Sequence, residues 1–178
     1  KQISTGKKEN KFGVDEKIFF DLVNYSKLSK NINLKCLSVH IGSQILDYKP
    51  YEKMLEVVNR IIKKSNHKFE FIDLGGGMGI SYEKNNKKLN YQKYNVAIKR
   101  FLKDHKSKII FEPGRSIVGN IGSLVSKVIY IKKNDNKDFI ILDAAMNDLM
   151  RPALYGANHR TLPVIKTNQT SEKVYEFV

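Results

Sequence analysis

Side chains that can do chemistry follow three short apolar segments of the sequence. His40 lies at the end of the first segment and Ser43 just after it, Gly75, Gly76 and Gly77 follow the second, and Glu112 with Arg115 follow the third. Imidazole and carboxylate can hold or move a proton, and glycines expose backbone N–H groups to a phosphate because no side chain blocks its approach. Guanidinium binds a carboxylate or phosphate through two hydrogen bonds. We therefore expect these residues to converge on one site.

Each of these signals has a plainer interpretation when it is taken alone. A run of glycines can be only a tight turn, a histidine can be a core residue, and Glu112 with Arg115 can be a surface ion pair. The glycine spacing also fails the dinucleotide-binding pattern, which would need glycine where Ile80 stands. The histidines have no metal-ligand spacing, and no serine-hydrolase elbow occurs, so neither zinc nor serine chemistry is predicted.

Helical and strand-like patterns alternate through the first two thirds of the chain. Apolar residues recur with helical spacing over residues 15–29, 51–62 and 91–102, and Asp15 is a suitable N-cap. Short apolar runs at residues 34–41, 69–74 and 108–111 read as strands, the first of them buried. This alternation predicts an α/β fold with a parallel sheet. Since ligands of such folds bind where the parallel strands end, the chemical side chains lie where a site is expected.

The pattern changes near residues 116–122. Two strand-like runs follow at residues 124–131 and 139–142, and the turn between them is too short for a crossover helix. We therefore predict an antiparallel pair and two domains, covering residues 1–118 and 119–178.

The net charge of +14 could indicate a nucleic-acid partner. However, 27 of the 32 basic residues are lysines, and they are scattered without a long basic run, which favours a solvated surface over a nucleic-acid interface. No apolar run is long enough to cross a membrane. A single cysteine, Cys36, excludes an internal disulfide and makes the cytoplasm the expected location.

Six motifs, in this order and at this spacing, resemble the diaminopimelate decarboxylases, within the barrel-type pyridoxal-phosphate decarboxylases that include ornithine decarboxylase. They are Ile3-Ser4-Thr5-Gly6, Lys11-Phe12-Gly13, His40-Ile41-Gly42-Ser43-Gln44, Leu74-Gly75-Gly76-Gly77, Glu112-Pro113-Gly114-Arg115-Ser116 and Asp143-Ala144-Ala145-Met146-Asn147-Asp148-Leu149-Met150-Arg151-Pro152-Ala153-Leu154-Tyr155. The last motif favours the diaminopimelate branch over ornithine decarboxylase. The resemblance implies the C-terminal portion of a TIM (β/α)8 barrel followed by the start of an antiparallel β-domain, in a homodimer with shared active sites.

The resemblance also implies residue roles around pyridoxal 5'-phosphate. His40 would stack on the pyridine ring, and Glu112 would face the ring nitrogen and keep it protonated. Ser43 and the three glycines would bind the phosphate. Gly114 and Arg115 would lie at the phosphate and the substrate.

Substrate binding is likewise assigned by the resemblance. Arg115, Arg151 and Tyr155 would hold the distal end of a small amino-acid substrate, and the reaction would convert meso-2,6-diaminopimelate to L-lysine and CO2. The alternatives are another amino-acid decarboxylase of the same group and a non-catalytic cofactor-binding relative.

The sequence departs from the family pattern at several points. Ala145 stands where glycine is usual, and Gly119 where alanine is common. Neither the upstream Schiff-base lysine motif nor the downstream Cys-Glu-Ser segment occurs in residues 1–178. The resemblance therefore implies a fragment that lacks both ends of the family's chain, and we expect it to be inactive and unstable alone.

Overall fold

Two compact units make up the protein, and they divide between Asn120 and Ile121. The computed structural model describes residues 12–82, 87–165 and 173–178. The first motif, at residues 3–6, and Lys11 lie outside the described residues.

The first unit alternates helices and strands as the sequence predicts. Its elements are α1 (Glu16–Leu28), β1 (Cys36–Ser38), α2 (Lys49–Ser65), β2 (Phe71–Asp73), α3 (Tyr91–Leu102), β3 (Lys108–Ile110) and α4 (Arg115–Val118). The three strands form a parallel sheet in the order β1-β2-β3, with Ile72 paired to Leu37 on one side and Ile109 on the other. The predicted parallel sheet is confirmed, although each strand is shorter than its apolar run, and α4 was not predicted.

Local sequence explains where the helices begin. The Asp15 carboxylate accepts a hydrogen bond from the Ile18 N–H at 2.8 Å, which satisfies one of the free donors in the first turn of α1. Pro50 lies in the first turn of α2, where its missing N–H costs nothing. Asn90 caps α3 by accepting from the Lys93 N–H.

Ion pairs connect α1 to α2 on the surface. The Arg60 guanidinium donates to both carboxylate oxygens of Glu16, at 2.9 and 3.0 Å, and Lys64 adds a third contact. These hydrogen bonds, that of Arg60 first, lower the pKa of Glu16 to about 2. Glu16 therefore stays ionised down to strongly acidic pH, and its ion pairs with α2 persist over that range.

Only one face of the parallel sheet is covered by the described residues. Ile72 is fully buried, and Leu37 and Ile109 pack against the same helical core. On the opposite face Cys36, Ser38 and the other alternate side chains of the outer strands are exposed. The expectation of a buried first strand is therefore wrong for this face, because no described element packs on it.

The second unit contains a β-hairpin and one unpredicted strand. Its elements are β4 (Val128–Lys132), β5 (Asp138–Leu142), α5 (Arg151–Tyr155) and β6 (Tyr175–Phe177). The pairing of β4 with β5 is antiparallel, as predicted, but β4 begins four residues later than its apolar run. β6 pairs in parallel with β5 on the other side.

None of the helices in the described residues is long and apolar enough to span a membrane.

Adjacent valines on α2 test the helical core. Val58 is 2% exposed, whereas Val57 is 47% exposed. We expect Val58→Ala to lower the free energy of unfolding by about 1–3 kcal/mol, because buried methyl groups are lost and a cavity remains. Urea unfolding of the full-length protein measures this change. Val57→Ala is the control and should have little effect; equal losses for the two variants would contradict the assigned core.

Candidate active site

Backbone hydrogen bonds hold the ends of the three parallel strands together. Beyond the strands, the Val39 N–H donates to the Asp73 carbonyl at 2.9 Å, and the Leu74 N–H donates to the Ile110 carbonyl at 3.0 Å. The Glu112 N–H then donates to the Gly75 carbonyl at 2.9 Å. The backbone segments that carry His40, the glycines and Glu112 are therefore neighbours at one edge of the sheet, as the sequence predicts.

The glycines are required by the close approach of these segments. Gly75 has φ +64°, and a Cβ there would lie 2.5 Å from the Val39 carbonyl oxygen and 3.0 Å from Nδ1 of His40. A Cβ on Gly76 would collide with the Glu112 carbonyl. Since backbone atoms cannot move aside cheaply, any larger residue would push the His40 or Glu112 segment away.

The segment after His40 continues alongside the glycine loop. Ile45 and Met78 form an isolated parallel bridge, in which the Ile45 N–H donates to the Gly77 carbonyl at 2.9 Å. The Gly79 N–H donates back to the Ile45 carbonyl at 3.0 Å. Ser43, which is half-buried, is therefore held on a loop fixed at both ends.

Gln44 connects this loop to Arg115. Its side-chain amide donates to the Ile80 carbonyl and accepts from the Ile80 N–H at 3.3 Å. The same amide oxygen accepts from Nη1 of Arg115 at 3.1 Å. Gln44 belongs to the motif of residues 40–44, but the sequence analysis assigned it no role. Its position in a loop at a strand end was the feature that could have indicated one.

Two stacked tyrosines support the glycine loop from the core. The Tyr51 hydroxyl donates to the Gly76 carbonyl at 3.2 Å, and its ring stacks on Tyr94 with 4.4 Å between centroids. Burial raises the pKa of Tyr51 to about 12 and raises that of Tyr94 as well. Tyr51 therefore remains a neutral donor at physiological pH. The helical pattern identified both tyrosines, but not this contact.

Asp73 is a second support that sequence reasoning missed. Although it is only 8% exposed, its carboxylate accepts from the Gly75 N–H at 2.8 Å and from the Ser38 hydroxyl at 3.1 Å. A buried carboxylate needs such donors to offset its lost hydration. Asp73 thus orients the first peptide of the glycine loop.

The residues that could take part in binding or catalysis face outward from this framework. His40, Glu112 and Gly114 are exposed, whereas Arg115 is half-buried. A Cβ on Gly114 would meet nothing within 4 Å, so this segment borders open space. The described residues contain no group of three or more side chains that could hold a metal ion.

Arg151 and Tyr155 lie together in the second unit. Both are on α5, and the Arg151 guanidinium lies 5.5 Å from the centroid of the Tyr155 ring. Their predicted contact with substrate stays a prediction.

Comparison with known proteins identifies the family. Residues 1–119 match the family described as "Pyridoxal-dependent decarboxylase, pyridoxal binding domain". The chain belongs to the pyridoxal-dependent decarboxylases. The predicted resemblance and the pyridoxal cofactor of the family are thereby confirmed.

Relatives within this family are diaminopimelate decarboxylases. The chain is 39% identical to the one from Aquifex aeolicus over 179 residues, and 43% identical to the one from Zymomonas mobilis over 175 residues. These alignments cover 99% and 95% of the chain, but 42% and 41% of the relatives. The chain thus spans less than half the length of the curated relatives that it matches.

A solved structure shows the same similarity. The crystal structure of diaminopimelate decarboxylase from Helicobacter pylori complexed with L-lysine is 39% identical, with a TM-score of 0.85. The match covers 94% of this chain and 42% of that one. The α/β fold of the described residues is therefore that of these decarboxylases.

Gly76→Ala tests the close packing of the site. We expect the new Cβ to displace the Glu112 segment and to lower the free energy of unfolding by about 1–3 kcal/mol. Urea unfolding of the full-length protein gives this value. Gly122→Ala is the matched control, because a Cβ there would meet nothing within 4 Å. Equal stability of the two variants would show that the glycine loop has room for a side chain.

Proposed function

We propose that the full-length protein is a diaminopimelate decarboxylase, which converts meso-2,6-diaminopimelate to L-lysine and CO2 with pyridoxal 5'-phosphate. The observation that carries the proposal is the convergence of the His40, Gly75 and Glu112 segments through backbone hydrogen bonds at one sheet edge. The chain is similar over nearly its whole length to diaminopimelate decarboxylases, one of which is complexed with L-lysine. This similarity supports the assignment of diaminopimelate as the substrate.

The described units are part of a larger architecture in this proposal. The parallel sheet is the late part of a TIM barrel, and the second unit begins a β-domain. The exposed face of β1 and β3 supports the assignment to a barrel, because in a closed barrel the side chains of this face pack against those of the other strands. The proposal includes a homodimer with shared active sites and a cytoplasmic location.

The residues present fit pyridoxal phosphate. Gly77 and Ser43, both half-buried, lie on adjoining loops at the sheet edge, and a backbone N–H and a hydroxyl are donors that suit a phosphate. Gly75 and Gly76 are buried and hold this edge in shape. Gly114 borders open space on the other side, next to Arg115. The chemistry that the cofactor supplies when bound is an electron sink for the carbanion left after CO2 departs.

In this mechanism His40 would orient the cofactor ring, and Glu112 would keep the ring nitrogen protonated. The His40 imidazole, which lies beside Gly75, would stack on the pyridine ring of the cofactor. The Glu112 carboxylate, on a segment fixed by the backbone hydrogen bond from the Glu112 N–H to Gly75, would accept a hydrogen bond from the protonated ring nitrogen and so keep it protonated. A fixed negative charge at this point stabilises the protonated ring in the transition state.

Arginines bind the end of the substrate that does not react. Arg115 is the proposed ligand of the carboxylate that remains in the product, and Arg151 and Tyr155 are also proposed as substrate-binding residues. A guanidinium suits this task because its planar donors match both carboxylate oxygens, which a lysine ammonium cannot do. This binding holds the substrate in the site and discriminates against amino acids that lack a distal carboxylate.

The activity is tested directly with the full-length protein loaded with pyridoxal phosphate. We expect release of CO2 from meso-diaminopimelate with formation of L-lysine, and kcat/KM for ornithine lower by about 100-fold or more, because ornithine lacks the distal carboxylate. Preference for ornithine would instead identify another decarboxylase of the group. Bound cofactor without CO2 release from either compound would identify a non-catalytic relative.

Glu112→Gln tests the carboxylate at the ring nitrogen. We expect kcat for diaminopimelate to fall by about 10²–10³-fold, because the neutral amide no longer stabilises the ring proton. Glu56→Gln is the control, since Glu56 is an exposed residue on α2 and undergoes the same charge change. Steady-state kinetics and far-UV circular dichroism of both variants separate lost chemistry from lost structure; unchanged turnover in Glu112→Gln would contradict the role.

A further inference from the structure

Gln44 makes a two-point hydrogen bond with one backbone peptide. Its Nε2 donates to the Ile80 carbonyl, and its Oε1 accepts from the Ile80 N–H at 3.3 Å. Since a carbonyl can only accept and an N–H can only donate, these contacts determine which end of the amide is oxygen. A side chain at this position must therefore both donate and accept, and its oxygen faces a defined direction.

The third partner of this amide is Arg115. Nη1 of Arg115 donates to the same oxygen at 3.1 Å, and the guanidinium lies 5.9 Å from the centroid of the Tyr82 ring. These contacts orient the guanidinium without bringing a negative charge to it. No ion pair among the described residues includes Arg115. The positive charge thus remains available to an anion.

The backbone of Gln44 adopts an energetically unfavourable conformation in this arrangement. Gln44 has φ +62°, a left-handed conformation that is unfavourable for a residue with a side chain. Gly79 leaves the room that the amide needs, because a Cβ there would lie 3.0 Å from Oε1 of Gln44. At Gly119 a Cβ would lie 2.6 Å from both the Arg115 carbonyl oxygen and Cδ1 of Ile80. Glycines on both sides therefore allow the Ile80 and Arg115 segments to approach each other.

We propose that Gln44 is a positioning residue that aims the Arg115 guanidinium at a carboxylate or phosphate while leaving its charge uncompensated. This inference rests on the proposed function for the identity of the anion, which is the distal carboxylate of the substrate or the phosphate of the cofactor. A glutamate at position 44 would reach the same guanidinium but neutralise it. A methionine would fill the space without accepting a hydrogen bond.

The test compares Gln44→Glu and Gln44→Met in the full-length holoenzyme, with Gln92→Glu on the exposed face of α3 as the control. Kinetics with meso-diaminopimelate give KM and kcat. Calorimetric titration gives the Kd of L-lysine, which retains the distal carboxylate, and separately the Kd of pyridoxal phosphate for the apoenzyme. Thermal unfolding checks that each variant is folded.

For a substrate carboxylate, we expect Gln44→Glu to raise KM and the Kd of L-lysine about tenfold, and Gln44→Met to raise both about threefold. kcat should stay within about twofold, because binding of the distal end is the same in the ground and transition states. If the anion is the cofactor phosphate, the Kd of pyridoxal phosphate should rise in that order instead. The control should change neither constant.

Three results would overturn the proposal. They are unchanged Kd values in both variants, equal losses in Gln44→Glu and Gln44→Met, and a fall in kcat at constant KM. If Gln44→Glu fails to fold, Gln44→Met alone decides the question by a threefold loss of binding or none. A protein that releases no CO2 from diaminopimelate would refute the proposed function, whereas the Kd values of L-lysine and of pyridoxal phosphate would still test Gln44.

Discussion

The absence of side chains at Gly75, Gly76 and Gly77 is the constraint on which the site depends. At these positions the backbone lies against the carbonyl groups of the neighbouring loops, at distances that leave no room for a Cβ. The close approach allows the Glu112 N–H to reach the Gly75 carbonyl and brings His40 beside it. A fold with only short strands thereby obtains a rigid edge on which exposed side chains can be placed accurately.

Rigidity at this edge comes from groups that do no chemistry themselves. The Tyr51 hydroxyl supports the glycine loop from the core, and the Asp73 carboxylate holds its first N–H. Both groups are buried, so their hydrogen bonds compete little with water and losing one would leave an unsatisfied polar atom. The catalytic candidates, in contrast, are exposed or half-buried. Rigid support below and accessible side chains above are what binding of a cofactor and a substrate requires.

Sequence reasoning located the elements and the outward-facing site residues because both follow local rules. Helical periodicity and an N-cap located α1, and the residues at or just beyond the end of an apolar run gave His40 and Glu112. The supports could not be found in this way, since the Tyr51 contact to Gly76 joins residues 25 positions apart. The same holds for β6, whose parallel pairing with β5 depends on a distant segment. The lengths of the strands were overestimated because apolar residues continue beyond the residues that pair regularly.

Under the proposed function, an arginine oriented by uncharged groups among scattered lysines accounts for selective anion binding by a chain of charge +14. Most exposed lysine charges are screened by water and salt, so they attract anions weakly and without direction. Arg115 differs because a neutral amide and an aromatic ring orient its guanidinium, while no carboxylate in the described residues neutralises it. The number of positive charges therefore matters less for anion recognition than the chemical type of their neighbours. A neutral hydrogen-bond acceptor orients the cation, whereas an acidic one would also occupy it.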